Sequence, residues 1–322
     1  MKHKFCILLS YVTIAIAAIS MSVPSFAQDV NENTDEELLP VVAYFNMNDT
    51  TIYQETRSKY KVINGDTIEV YNYNCTYGFT VIDSTATSYT IKYLPGELSG
   101  LDGLENIEAF RSAMNSFMPS EVIFTTDECG SITHILEWEK VGRALTEATN
   151  TIFNKLPAET AEKLKSNSLF DFSSEELVMK HFSPANLHFV IHGNAYKMGR
   201  TETSSDSNGV KSTIKTIAEY LDKEEATFEG DYRIVNKTIS EVTSQQAISA
   251  LSALLKNTAN TPEQWEQIEK ELKNIKSIDI SQLFLLQYFY NGWPMEIYHS
   301  KTTETLGSQI EVVRVECLDA NW

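Results

Sequence analysis

Two Asn-Gly dipeptides, Asn64-Gly65 and Asn208-Gly209, each separate segments rich in β-branched and aromatic residues. A two-residue type I′ turn needs positive φ at both central positions, so this dipeptide between strand-like runs is the strongest short-range hairpin signal. Ile52 to Ile63 and Thr67 to Thr76 flank the first turn. In the second of these strands Tyr71, Tyr73 and Cys75 share a face, by the period of two. Phe79 to Ile82 and Tyr89 to Leu94 read as a further pair around the turn-rich DSTATS. Leu187 to Thr203 and Val210 to Leu221 flank the second Asn-Gly, followed by Asp222 to Phe228, which compares with Asp83 to Tyr89. Leu283 to Tyr290, Met295 to Thr303 and Gln309 to Leu318 close the chain as strands.

Helical periodicity falls between these blocks. Ile107, Phe110, Met114 and Phe117 form one apolar stripe, ended by Pro119. Glu121 to Thr126 and Ser131 to Glu137 read as strands, and Trp138, Val141, Leu145, Ala148, Ile152 and Leu156 then recur at spacings of three and four until Pro157. Ser173 to Glu176 has the capping-box form and opens a short helix to about Phe182. Ile248, Leu251 and Leu255 share a face, and after Thr261-Pro262 so do Trp265, Ile268, Leu272 and Ile275. The order hairpin, strand pair, helix, strand pair thus occurs twice and reads as an internal duplication. The expected fold is α+β and mostly antiparallel, with two pseudo-repeated curved sheets facing each other across a cleft. Its divisions are residues 40–140 as a first β-rich half, 141–185 as a helical connector and 186–322 as a second β-rich half.

Residues 1–27 read as a signal peptide. Lys2 and Lys4 precede an apolar run from Phe5 to Val23, and Ser25-Phe26-Ala27 supplies the small-x-small cleavage pattern. The run is long enough to span a membrane, but no basic stop-transfer cluster follows it, so no stable membrane anchor is expected after cleavage. Cys6 precedes the apolar run, so no lipid anchor is expected either. Residues 28–39 are acidic and aperiodic and read as a flexible leader. The expected location is exported, periplasmic or extracellular. Without Lys2 and Lys4, 24 basic residues face 44 acidic ones, a formal charge of −20. That field repels phosphates, so no nucleic-acid partner is expected.

The common catalytic signatures are missing: no Gly-x-Ser-x-Gly elbow, His-Glu-x-x-His, P-loop, Gly-x-Gly-x-x-Gly or calcium loop occurs. Cys75, Cys129 and Cys317 are an odd number with no Cys-x-x-Cys, so at least one stays unpaired within the chain, and a buried structural thiol is the expected role of each. His181, His188 and His192 lie close in sequence; on a strand His188 and His192 stand about 13 Å apart, too far to share an ion, on a helix their i, i+4 spacing would suit one, and Phe189-Val190-Ile191 with Gly193 favour the strand. No metal ligand and no cofactor is therefore assigned. The pairs Glu36-Glu37, Glu175-Glu176 and Glu224-Glu225 read as solvated, because adjacent carboxylates on one strand point apart. No catalytic residue is assigned, and the ligand-binding residues are unknown. Phe284 to Tyr290, leading into Asn291-Gly292-Trp293-Pro294, is either a core strand or the wall of an apolar pocket. Asp49-Thr50-Thr51, Asp66-Thr67-Ile68 and Asp83-Ser84-Thr85 match a short acceptor pattern of some periplasmic O-glycosylation systems; Asp-Thr is equally turn chemistry.

Three segments resemble a loose group of secreted bacterial envelope proteins of unassigned activity: GDTIEVY at Gly65 to Tyr71, DECGSITHILEWEKV at Asp127 to Val141 and NGWPMEIYHSKTTETLG at Asn291 to Gly307. The resemblance implies a shared scaffold and transfers no chemistry. Two readings of function follow. One is a non-enzymatic exported protein that binds an apolar or lipid-like small molecule, or an envelope protein; the other is a hydrolase with scattered acidic residues. Export makes Gln28 the expected mature N-terminus; N-terminal sequencing of the protein from its native cells checks this, and a chain still starting at Met1 contradicts it.

Overall fold

The computed structural model describes residues 37–63, 65–100, 121–154, 171–207, 210–243, 249, 262–272, 277–305 and 307–322. Its strands are β1 (Leu38–Pro40), β2 (Thr50–Ile63), β3 (Asp66–Ser84), β4 (Ser88–Ser99), β5 (Val122–Asp127), β6 (Ile132–Ile135) and β7 (Ala195–Lys197). They continue with β8 (Gly199–Ser207), β9 (Val210–Tyr220), β10 (Tyr232–Thr243), β11 (Ser277–Tyr288), β12 (Pro294–Glu304) and β13 (Ser308–Asn321). The described helices are α1 (Trp138–Phe153), α2 (Glu175–His181), α3 (Ser183–Phe189) and α4 (Pro262–Leu272).

Eleven strands form one antiparallel sheet in the order β6-β5-β4-β3-β2-β13-β12-β11-β10-β9-β8. Strands β2 to β6 run as a meander from the centre to one edge, and β8 to β13 run as a second meander from the other edge to the centre. They meet where β13 pairs with β2, from Asn321 opposite Thr50 to Ser308 opposite Val62. The expectation of two facing sheets is therefore corrected: both β-rich blocks belong to one sheet, since the last strand completes the open edge of the first long one. Separately, β1 pairs with β7, so the end of the expected leader is a strand, with Leu39 only 1% exposed.

At the first Asn-Gly, Ile63 pairs with Asp66 across two residues, as the hairpin expectation requires, and Gly65 has φ +89°, while Asn64 lies outside the described residues. Ser207 and Val210 pair in the same way around the second dipeptide, but Asn208 and Gly209 themselves, like the expected helix over Ile107 to Phe117 and most of the segment from Ile248 to Thr261, lie outside the described residues. The two meanders have five and six strands, and a structural repeat is not established by them. Helix α1 matches the Trp138 stripe, and the Ser174 side chain caps α2, accepting from the Leu177 N–H at 3.3 Å.

A second sequence expectation is overturned. Leu187 to His192 is not a strand: Ser183–Phe189 is α3, with Pro184 in its first turn, and Val190 to Gly193 are turn. Proline's fixed φ suits the first helical positions, while Phe189, Val190 and Ile191 alone do not separate a strand from a short buried helix. Helix α3 delivers Phe189 and His188 into an aromatic layer made by β2 to β5. His188 lies 4.4 Å from Tyr53 and 4.9 Å from Phe79 between ring centres, and Phe124 and Phe182 pack beside them.

A strap over residues 41–49 stitches this end of the sheet. Val41 N–H donates to Asn194 O, Ala43 N–H to Cys129 O and Tyr44 N–H to Asn291 O, each at 2.9 Å. The Asn291-Gly292-Trp293-Pro294 segment is the turn it crosses, with Trp293 fully buried and stacked on Phe45 at 4.2 Å. Gly292 has φ +89°, and an added Cβ would lie 2.6 Å from Val42 O and 3.3 Å from His192 Nε2. At Gly65 the φ is the same but nothing lies within 4 Å of the added carbon. Gly65→Ala should therefore cost only the backbone term, about 1–2 kcal/mol, whereas Gly292→Ala adds overpacking and should cost about 2–5 kcal/mol. Urea unfolding of both variants checks this, and equal losses would contradict it.

Candidate functional site

Pairing across the sheet fixes which side chains share its inner face. Strand β2 presents Tyr53, Glu55, Arg57 and Lys59 in alternation, opposite Tyr77, Cys75, Tyr73 and Tyr71 of β3. On the other side, Glu55, Arg57 and Lys59 face Val315, Val313 and Glu311 of β13, which face Ile297, His299 and Lys301 of β12. The rows continue through Leu286, Phe284 and Gln282 of β11 to Ile234, Asn236 and Thr238 of β10, then Ala218, Thr216 and Ile214 of β9. Three zones result. Nearest α3 the inner face is the dry aromatic layer. Across its middle runs a polar and ionic band. Beyond that, past a row in which Ser212 and Ser240 pair beside Ile280, Val210, Val242 and Ile278 form one further apolar row.

The band is held by specific contacts. Arg57 Nε donates to Glu55 Oε1, and the Tyr77 hydroxyl donates to Glu55 Oε2 at 3.3 Å. Burial opposes the Arg57 charge, but the neighbouring Glu55 overrides it and holds the guanidinium more firmly protonated than usual. Lys59 Nζ reaches Glu311 Oε1 at 2.6 Å. Asn236 Nδ2 donates to Thr216 Oγ1 at 3.2 Å and its Oδ1 accepts from Thr238 at 3.1 Å. Burial pushes the Cys75 thiol up to about 12, with Glu55 adding to it, and so keeps the thiol protonated and unreactive. All three described cysteines are unpaired thiols.

His299 stands apart in this band. Its ring lies flat on Phe284, with centroids 4.0 Å apart and planes 9° from parallel, and its buried Nε2 has no hydrogen-bond partner. Burial, then the Lys301 ammonium, lowers its pKa to about 4, so the imidazole is neutral near pH 7. Lys301 is itself lowered, by burial first and also by Lys59, with Glu311 opposing. A neutral imidazole with a bare ring nitrogen offers one directional hydrogen bond in a water-poor setting. The carboxylates of the band, Glu55 and Glu311, are each engaged by a cation, so this arrangement lines a surface with fixed charges and does not assemble a general acid opposite a nucleophile.

The residues singled out in the sequence fall elsewhere. His188 and His192 are buried in the aromatic layer, where His192 Nε2 lies 3.0 Å from Gly292 O. His181 ends α2 and His134 is 69% exposed, 3.3 Å from Glu175. Among the described residues no group of three or more His, Cys, Asp or Glu could hold a metal ion. Glu175 also accepts from the Ile135 N–H at 2.7 Å, Glu176 pairs with Lys180 and Glu225 with Arg233. These are structural contacts, Glu37 and Glu224 are exposed, and Glu36 lies outside the described residues. Phe284 and Leu286 of the aromatic run do line the inner face, one inside the band and one beside the sealed core. The band itself escaped sequence reading, although Tyr53-x-Glu55-x-Arg57-x-Lys59 and Ile297-x-His299-x-Lys301 carry its alternation.

The buried histidines make stability depend on pH. His192 is 4% exposed, with Nδ1 unpartnered, and burial lowers its pKa to about 4, against the smaller opposing effects of Gly292 O and Asp127. A histidine whose folded pKa lies below its unfolded one gives its full stabilisation above pH ~6.5 and loses it as pH falls toward about 4. The loss should reach at most about 3 kcal/mol for His192. Urea midpoints from pH 7 to 5 should fall, and His192→Gln, which keeps a donor toward Gly292 O, should flatten that fall; an unchanged slope contradicts the assignment.

No family model matches the chain, and no curated protein matches it. Among solved structures it is similar to a lipovitellin structure described for lipid–protein interactions, at 9% identity over 86% of this chain, with a TM-score of 0.37. The match covers 26% of that protein, so the chain spans about a quarter of its length. A Salmonella typhi OmpF complex with daunomycin matches at 6% identity over 84% of this chain and 98% of that chain, with a TM-score of 0.21. An outer membrane channel from Pseudomonas putida F1 matches at 7% identity over 90% of this chain and all of the channel, with a TM-score of 0.13. Likenesses this distant carry no functional conclusion. Among the described residues no helix is long and apolar enough to cross a membrane.

Proposed function

We propose that the protein is exported and binds an amphipathic, lipid-like molecule on the inner face of its sheet, without catalysing a reaction on it. The observation that carries this is the unpartnered His299 Nε2, buried in a band whose other described contacts are made. An orphaned buried polar atom is costly, and a bound polar group relieves that cost. Beyond the band on the same face, past the Ser212–Ser240 pair, the half-buried Val210 and Val242 give the apolar part of such a molecule a lining, with Ile278 buried beside them. Capture of both carboxylates by cations weighs against the hydrolase reading. The amino-terminal pattern ending in Ser25-Phe26-Ala27 supports export.

Titration with a fluorescent fatty acid, together with native mass spectrometry of the protein from its own cells, tests this. Binding should be saturable. His299→Phe keeps the stack on Phe284 but removes the polar atom, and should weaken binding about 3- to 10-fold. Val242→Asp should weaken it further by placing a charge in the apolar row. Absence of any copurifying amphiphile together with no binding of the probe overturns the proposal.

A further inference from the structure

Four Asp-Ser/Thr-x segments share one sequence pattern; Asp206-Ser207-Asn208 ends in a residue outside the described ones, and the fold treats the other three differently. In the first, Asp49 is 3% exposed and its Oδ2 accepts from the Asn46 N–H at 2.7 Å, while Thr51 is 1% exposed. An enzyme reading the residues around Thr50 would have to open the core. In the third, Ser84 Oγ donates to Phe45 O at 3.3 Å, and Asp83 Oδ1 accepts from the Ser84 N–H at 3.0 Å. That hydroxyl is engaged with the strap.

The second segment differs on every count. Asp66, Thr67 and Ile68 are all exposed, beside the Gly65 turn at the tip of the β2–β3 hairpin. Ile68 is 52% exposed, although a turn-proximal strand position has no need of an exposed isoleucine. The segment is extended, and among the described residues β4 pairs with β3 only from Asn74 onward. Beside Asp66 to Ile68 no strand among the described residues lies on that side, so the backbone there presents an edge that an enzyme can meet by strand addition. Accessible hydroxyl, flanking carboxylate, apolar third residue and extended backbone coincide only here among the three.

We infer that Thr67 is an O-glycosylation site, modified after export, with Asp66 and Ile68 as the recognised neighbours; the inference rests on the export proposed above and is independent of the ligand. The donor is a glycan linked to a polyprenyl pyrophosphate. Thr67 Oγ bonds to the anomeric carbon, the bond from that carbon to the phosphate oxygen breaks with its electron pair leaving on the pyrophosphate, and the hydroxyl proton passes to a base of the transferase.

Intact mass and peptide mapping of the protein purified from its native cells test this. The expected result is a glycan mass on the peptide containing Thr67, lost in Thr67→Ala and Asp66→Ala. The mass should persist in Thr50→Val and Ser84→Ala. Because Thr67 is exposed, Thr67→Ala should fold normally, and circular dichroism of the variant confirms that loss of the glycan is not loss of the fold. An unmodified mass, whether or not residues 1–27 have been removed, overturns the inference, as does a glycan that survives Thr67→Ala.

Discussion

The pairing of β2 with β13 joins everything else. It brings residues separated by most of the chain into one ladder, and the cost of closing so long a loop grows only slowly with its length. Without it each meander would end in a bare central edge, and the inner-face rows would stop at Arg57 on one side and Val313 on the other. With it, Glu55, Arg57 and Lys59 acquire neighbours on β13 and β12, and the Lys59–Glu311 contact bridges the junction. The ionic band is therefore a product of the closure and belongs to neither meander alone.

Along the strands, the inner face changes character in steps of two residues. Near α3 the rings of Tyr53, Tyr77, Phe79 and Phe124 pack with His188 and Phe189. One row further, Glu55 takes the Tyr77 hydroxyl, so the aromatic layer ends in a charge that is already satisfied. In the next row the neutral His299 ring, stacked on Phe284, carries the unpartnered Nε2. Burial of polar atoms is tolerated where they are paired, and the one exception among the band's described residues is the atom that the proposed ligand would satisfy.

Local chemistry was legible in the sequence, and long-range chemistry was not. The Ile63–Asp66 hairpin follows from Asn64-Gly65, and α1 follows from the apolar spacing that begins at Trp138 and halts before Pro157. Around His188 the sequence reads as a strand because Phe189, Val190 and Ile191 are apolar at every position, whereas Pro184 upstream suits the first turn of the helix that forms. Charges alternate visibly along Glu55, Arg57 and Lys59, yet one strand does not say which of its faces is inner. The partners that decide it, Val313, Glu311 and His299, lie about 250 residues away in sequence, and only the register connects them.

Hydrogen exchange across a urea series tests the closure most directly. If the β2–β13 ladder holds one sheet together, amides of β3 and β4 should lose protection in the same transition as those of β10 and β11, with β2 and β13 among the last to exchange. Two separate transitions, with one meander fully exchanged while the other stays protected, would contradict the account and return the chain to two independent halves.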